Sequence, residues 1–260
     1  VANHPVSLAL REAKSAGERR TAFGKMLPYI GQQVEDDLLN MDIVRSAWAQ
    51  TIAAAERHND PGKFTAFTAY EYTSSQDTFE NLHRNVIFEG DAPSEPFSRL
   101  ISKNPENLWR WMDSLRDRGM DSLAIPHNSN GSDGYMFWDK TYDGKEIDAR
   151  YSAMRMRNEP LVEISQVKGT SETHPLLSPN DEFADFEIMP YQIATWFPSK
   201  LEGSYIRQAY RRGLELQEAG AGNPFKFGLI SASDTHVGAG AFTESNYWSK
   251  IGMVDYNGML

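Results

Sequence analysis

Residues 226–236 read KFGLISASDTH: an apolar run that predicts a strand, closed by Asp234 and His236, two side chains able to hold a metal ion. In parallel α/β barrels the C-terminal strand ends carry the active site. A ligand pair directly beyond an apolar strand therefore bears on fold and chemistry together. In extended chain the two side chains would leave on one face, roughly 7 Å apart along it, within reach of one ion or two neighbouring ions. The competing reading is a polar turn with an incidental histidine. VGAGAF, at 237–242, reads as a Gly-rich loop beyond the pair.

Working outward, the same placement recurs. KFTAFTAYEYT, at 63–73, is rich in β-branched and aromatic residues and predicts a strand ending near Glu71. A polar turn at Ser74–Thr78 leads to a second strand, NLHRNVIF, at 81–88. SLAIPHN, at 122–128, is a short strand delivering His127, with Asn128 behind it as a candidate substrate contact. LVEISQV, at 161–167, is another strand, whose Glu163 and Gln166 would point to opposite faces.

Helices fall between them. Asn40 caps a helix running to His58, with Val44, Trp48 and Ile52 on one face. Asn104 and Pro105 open another that ends at Gly119, and a third covers Tyr205 to Ala219. Alternating strands and helices argue for an α/β fold with a mainly parallel sheet, read as one domain over 1–260.

Each candidate has a plainer alternative. His127 could be a buried histidine bonded to a carbonyl, and Glu71 a solvated acid. His83 and Arg84 are adjacent in a strand and so face opposite ways. His83 reads as a ligand. Arg84 reads either as a fork-shaped donor to an anionic substrate, with a catalytic role, or as an ion-pair partner in the fold. In the loop KGTSETHP, Lys168 could contact an anionic substrate and His174 could be a proton donor or outer ligand, unless both only support the loop. Tyr135, Phe137 and Trp138 could wall a pocket or simply pack.

Composition narrows the chemistry. With 36 acidic and 26 basic residues the 260-residue chain carries a formal charge of −10, which disfavours nucleic acid. There are no cysteines, so a transition-metal site must use His, Asp and Glu, a set suited to Zn, Mn or Fe. That absence fits cytoplasm and periplasm alike. No apolar run nears the roughly 18 residues of a membrane span, so a soluble protein is expected.

AYEYT, NLHRNVIF, AIPHNSNGSDGYMF, EISQVKGTSETHPLLSPNDEFADFE and LISASDTHVG, between Pro61 and Gly240, together resemble a bacterial domain-of-unknown-function family. That family is placed within the PHP (polymerase and histidinol phosphatase) superfamily, related to the amidohydrolases. The resemblance implies a (β/α)7-type distorted TIM barrel holding two or three divalent ions and hydrolysing phosphoesters with metal-activated water. It makes Glu71 a ligand bridging two ions, His127 the ligand after a middle strand, Asp234 and His236 the last-strand pair, and His83 a further ligand.

The resemblance has one departure. PHP domains open on a His-x-His strand, which this chain lacks, so one or two barrel strands are expected to be missing. Such a chain would bind fewer ions or be inactive, and its unpaired strand edge would favour self-association. The expected activity is metal-dependent hydrolysis in which Asp234 also accepts a proton and His174 or Arg84 assists. The rivals are amidohydrolase-type cleavage of an amide, ester or lactone, and a metal-binding module without catalysis.

Overall fold

The computed structural model describes residues 3–31, 40–76, 79–193 and 195–236, together with 243 and 245. The Gly-rich run at 237–242 and the end of the turn at 77–78 lie outside the described residues. The chain forms two compact units, Val1–Thr68 with Glu89–Pro96, and Ala69–Phe88 with Phe97–Leu260.

The first unit holds three helices, α1 (Pro5–Glu12), α2 (Ala16–Gly31) and α3 (Met41–His58). Asn40 starts α3 as its sequence predicts: Oδ1 accepts from the backbone N–H groups of Asp42 and Ile43, which the first turn would otherwise leave unsatisfied. Trp48 is buried, and its indole N–H donates to the Pro93 carbonyl at 2.6 Å. Arg45 adds an ion pair to Glu95 at 2.7 Å.

The second unit begins with β1 (Ala69–Tyr72), β2 (Arg84–Glu89), α4 (Pro105–Arg116), β3 (Asp121–Pro126) and α5 (Ala149–Asn158). It continues with β4 (Leu161–Glu163), β5 (Ser165–Gln166), β6 (Gly169–Thr170), α6 (Ile206–Glu218) and β7 (Gly228–Ile230). Asn104 Oδ1 caps α4, whose Leu108, Met112 and Leu115 are fully buried. Leu82, Phe137, Val162, Ile206, Phe225 and Phe227 form a shared core. Phe137 is thus a packing residue, lying 5.7 Å from Phe225 and 5.6 Å from Phe227 between ring centroids.

The expected (β/α)7-type distorted TIM barrel is overturned. Among the described residues the strands form three separate sheets, ordered β1-β2-β3, β4-β7 and β5-β6, and none closes. β1 and β2 are antiparallel, with Glu71 opposite Asn85 and Tyr72 opposite Arg84. Parallel neighbours require a crossover connection of a dozen or more residues, usually helical. No helix stands between Tyr72 and Arg84 among the described residues, whereas α6 does stand between the parallel pair β4 and β7. LVEISQV, read as one strand, breaks at Ile164 into β4 and β5, and β5 turns back on β6.

α5 had no hydrophobic period to betray it. Its buried face comprises Tyr151, Ser152, Arg155 and Asn158, so polar groups stand where apolar ones would mark a helix. Arg155 is buried because Glu159 and three aromatic rings receive it. Its Nε lies 3.0 Å from Glu159 Oε2, and its guanidinium stacks 4.9 Å from Phe225 and 5.5 Å from Trp109. Arg84 Nε meets the other oxygen of Glu159 at 2.8 Å, and the Trp109 indole N–H donates to that same oxygen at 2.8 Å. No helix among the described residues is long and apolar enough to cross a membrane.

Candidate metal centre

Glu71 lies one residue from the end of β1, and Tyr72 after it is turned into the core. Because Tyr72 pairs with Arg84, the residue before Arg84 comes level with the end of β1. That residue is His83. Its side chain faces away from Arg84, as strand alternation requires, and its Nδ1 lies 2.8 Å from Glu71 Oε1. His127 follows β3 directly, and its backbone N–H donates to the His83 carbonyl at 3.3 Å. Its Nε2 stands 3.5 Å from the same Glu71 oxygen. One ligand atom from each of Glu71, His83 and His127 lies within 4.8 Å of the others.

Protonation suits this grouping to a cation. Burial pushes the Glu71 carboxyl upward, but hydrogen bonds from His127 and His83 more than reverse it, so the group is held below its usual range. Burial lowers His83, and the attraction of Glu71 only partly compensates, with His127 and Lys168 adding repulsion. A carboxylate beside a neutral imidazole is the protonation state in which both act as ligands. Two ligands each about 2 Å from one ion are at most about 4 Å apart, so the cluster needs little adjustment to hold one.

Asp234 and His236 join from β7, but not in extended chain. Both residues have positive φ, 54° and 61° respectively. β7 ends at Ile230, so the two-residue period of a strand no longer governs side-chain direction at 234. The left-handed turns fold the pair together: His236 Nδ1 lies 3.1 Å from Asp234 Oδ1, and its Nε2 is 3.5 Å from Glu71 Oε2. The second oxygen of Glu71 thereby faces a different imidazole from the first. Lys168 Nζ pairs with Asp234 Oδ2, bringing a cation to the cluster's edge. Exposure runs from 3% for the His127 side chain to 50% for that of His236, so the cluster opens on the His236 side.

Asn128, expected to contact substrate, is fully buried and works on the backbone. It adopts φ 52° and ψ 42°, a left-handed conformation that Asn tolerates better than most residues. Its Nδ2 donates to Asn130 Oδ1 at 3.1 Å and to the Lys168 carbonyl at 3.3 Å. Asn130 Nδ2 adds a second bond to that carbonyl at 3.1 Å. The Asn128 backbone N–H donates to Glu163 Oε2 at 3.2 Å. Burial pushes the Glu163 carboxyl upward, against smaller lowering effects of His127, Gln166 and the Asn128 N–H.

Sequence reasoning named Glu163 on LVEISQV but gave it no role in the site. It carried the same mark as Glu71, an acid at the end of an apolar strand, but assigning LVEISQV to one continuous strand obscured it. Arg84 and His174 are placed elsewhere. Arg84 is held in the buried pair with Glu159 and also donates to the Leu82 carbonyl. His174 Nδ1 accepts from the Leu176 N–H at 3.2 Å, and its ring packs on Tyr205 at 5.8 Å.

A family model described as "Protein of unknown function (DUF3604)" matches residues 8–259. No curated protein and no solved structure matches the chain.

Proposed function

The chain belongs to the DUF3604 family of proteins of unknown function, and from its own site we propose a metal-dependent hydrolase that cleaves an anionic ester, foremost a phosphoester. The observation that carries this reading is the convergence of Glu71, His83 and His127 on one point from three strand ends. Glu71, His83 and His127 would hold the ion, and a donor set of one carboxylate and two imidazoles suits Zn, Mn or Fe. Glu71 turns its two oxygens to different imidazoles, so Asp234 and His236 could join the residues that would hold metal. When bound, such an ion lowers the pKa of water towards ~7 and stabilises charge developing on the substrate.

The chain's own groups supply the remainder. Lys168 Nζ, at the cluster's edge, binds and orients an anionic substrate; this cation favours a phosphoester over a neutral amide. Asp234 Oδ1 would take a proton from attacking water, with His236 Nδ1 beside it to hold the carboxylate's orientation. His127, almost fully buried, closes the inner wall against bulk water.

The test is metal analysis of the purified chain, followed by a screen of phosphoesters against amides and lactones. Stoichiometric Zn, Mn or Fe that disappears in Glu71→Ala, with turnover of phosphoesters, is the expected result. Absence of bound transition metal after loading would overturn the reading. Metal with amide turnover would move the protein to amidohydrolase-type chemistry, and metal without turnover would leave a binding module.

A further inference from the structure

A histidine that ligates a metal through one ring nitrogen is usually aimed by its other N–H, which donates to a carboxylate or carbonyl. His127 lacks this support. Its Nδ1 is buried and finds no hydrogen-bond partner among the described residues. The direction of the imidazole must then come from the backbone on either side of it. On one side the His127 N–H is bonded to the His83 carbonyl. On the other stands Asn128, whose left-handed conformation turns the chain immediately after the ligand.

Glu163 fixes that turn. Its side chain is 4% exposed, and no ion pair joins it among the described residues. Burying a carboxyl group is unfavourable, and the nearby charge of Lys168 only partly offsets that burial, so its hydrogen bond to the backbone carries weight. Among the described residues its one hydrogen bond to the backbone is the acceptance of the Asn128 N–H by Oε2. Glu163 is itself anchored in the parallel register of β4 and β7, opposite Ile230 and therefore just upstream of Asp234. Asn128 in turn clamps the carbonyl of Lys168.

We propose that Glu163 is a positioning residue of the metal centre: by holding the Asn128 N–H it keeps the turn after His127 and aims that imidazole at Glu71. The inference rests on the metal-site reading above and adds to it a residue outside the ligand set. Through Asn128 the same bond also ties the placement of Lys168 to that of His127.

Two variants of nearly conserved volume separate this role from others. Glu163→Gln keeps an oxygen for the Asn128 N–H, whereas Glu163→Met fills the space without one. Metal-free protein would be titrated with Zn or Mn by calorimetry, and its thermal unfolding followed in parallel. The Gln variant should bind within about 3-fold of wild type and the Met variant some 10–100-fold more weakly. The metal-free Met variant should still unfold cooperatively, a few degrees below wild type at most, since loss of the Asn128 N–H acceptor is offset in part by removal of a buried acid. Equal affinity in the Met variant and wild type would overturn the proposal. So would equal loss in both variants, which would make charge the active property, or a Met variant that fails to fold, which would make Glu163 structural. Wild type that binds no metal would instead bring down the metal reading, a result visible before any variant is made.

Discussion

His83 and Arg84 are neighbours in sequence, yet they serve two ionic clusters of opposite character. Arg84 enters a closed one, in which Glu159 meets Arg84 on one oxygen and Arg155 on the other, with the Trp109 indole completing the set. His83 enters an open one, in which a single carboxylate is faced by three imidazoles, one of them half exposed. In the first, one carboxylate is shared by two guanidinium groups, and the aromatic rings of Trp109, Phe137 and Phe225 pack over that of Arg155. In the second, imidazole nitrogens gather around one anion, a donor set that could hold a cation from outside. Strand alternation alone divides the two residues, and what each meets decides which cluster it joins.

The largest effect that would break this contrast comes from the closed cluster. Glu159→Ala leaves two guanidinium groups buried without an anion and should cost about 3–5 kcal/mol in denaturant unfolding. A loss under about 1 kcal/mol would mean that the pair is not the structural centre described here.

Next in size is protection by metal. With ion at 100 times its Kd, wild type should gain about 2.7 kcal/mol, and Glu71→Ala should gain almost nothing. Without metal, Glu71→Ala should lose clearly less stability than Glu159→Ala. A metal-free destabilisation as large as that of Glu159→Ala would erase the distinction between the clusters.

A smaller effect concerns the clamp on Lys168. Gly169 has φ 95°, and a Cβ there would stand 2.7 Å from Met189 Cβ and 2.9 Å from the Glu187 carbonyl oxygen. Gly169→Ala should therefore cost about 1–3 kcal/mol. It should also weaken binding of an anionic substrate more than binding of metal, because Lys168 precedes it. Equal weakening of both would argue that Lys168 belongs with the ligands.

The mildest effect is a slope in acid. Burial raises the Glu159 carboxyl, but the charges of Arg84 and Arg155 outweigh it and hold the group below its ordinary value of 4.5. Its contribution is fully present above that ordinary value and is lost as pH falls below it, through the lowered folded value. Unfolding free energy of wild type should thus fall more steeply below pH 4.5 than that of Glu159→Gln. Parallel slopes would show that the carboxylate's charge is not what the arginines stabilise.

Much of the local structure was legible. Asn40 and Asn104 announced their helices because a capping side chain acts within its own turn, and Leu108, Met112 and Leu115 kept the period of a buried face. α5 was hidden because its inner face is polar and makes sense only beside Glu159 and the core aromatics. The candidate site was legible as a set of residues, since Glu71, His127, Asp234 and His236 each end or follow an apolar run. Glu163 was obscured by a strand break at Ile164 that no residue in LVEISQV marks.

By itself, then, the sequence determined the starts of α3, α4 and α6, the ligand types and the exclusion of thiolate chemistry, because these depend on residue identity and on contacts a few positions apart. Only the tertiary structure decided that the strands of the described residues form three separate sheets, that β1 and β2 run antiparallel, and that Asp234 and His236 turn back toward Glu71. It also decided the roles of two residues that local pattern could not separate. Arg84 became a structural cation because Glu159, 75 residues away, lies within reach of its guanidinium. Glu163 came to hold the turn behind His127 because Asn128 presents its N–H there from 35 residues earlier. Pairing over such separations is set by packing of the whole unit, which residue spacing alone does not specify.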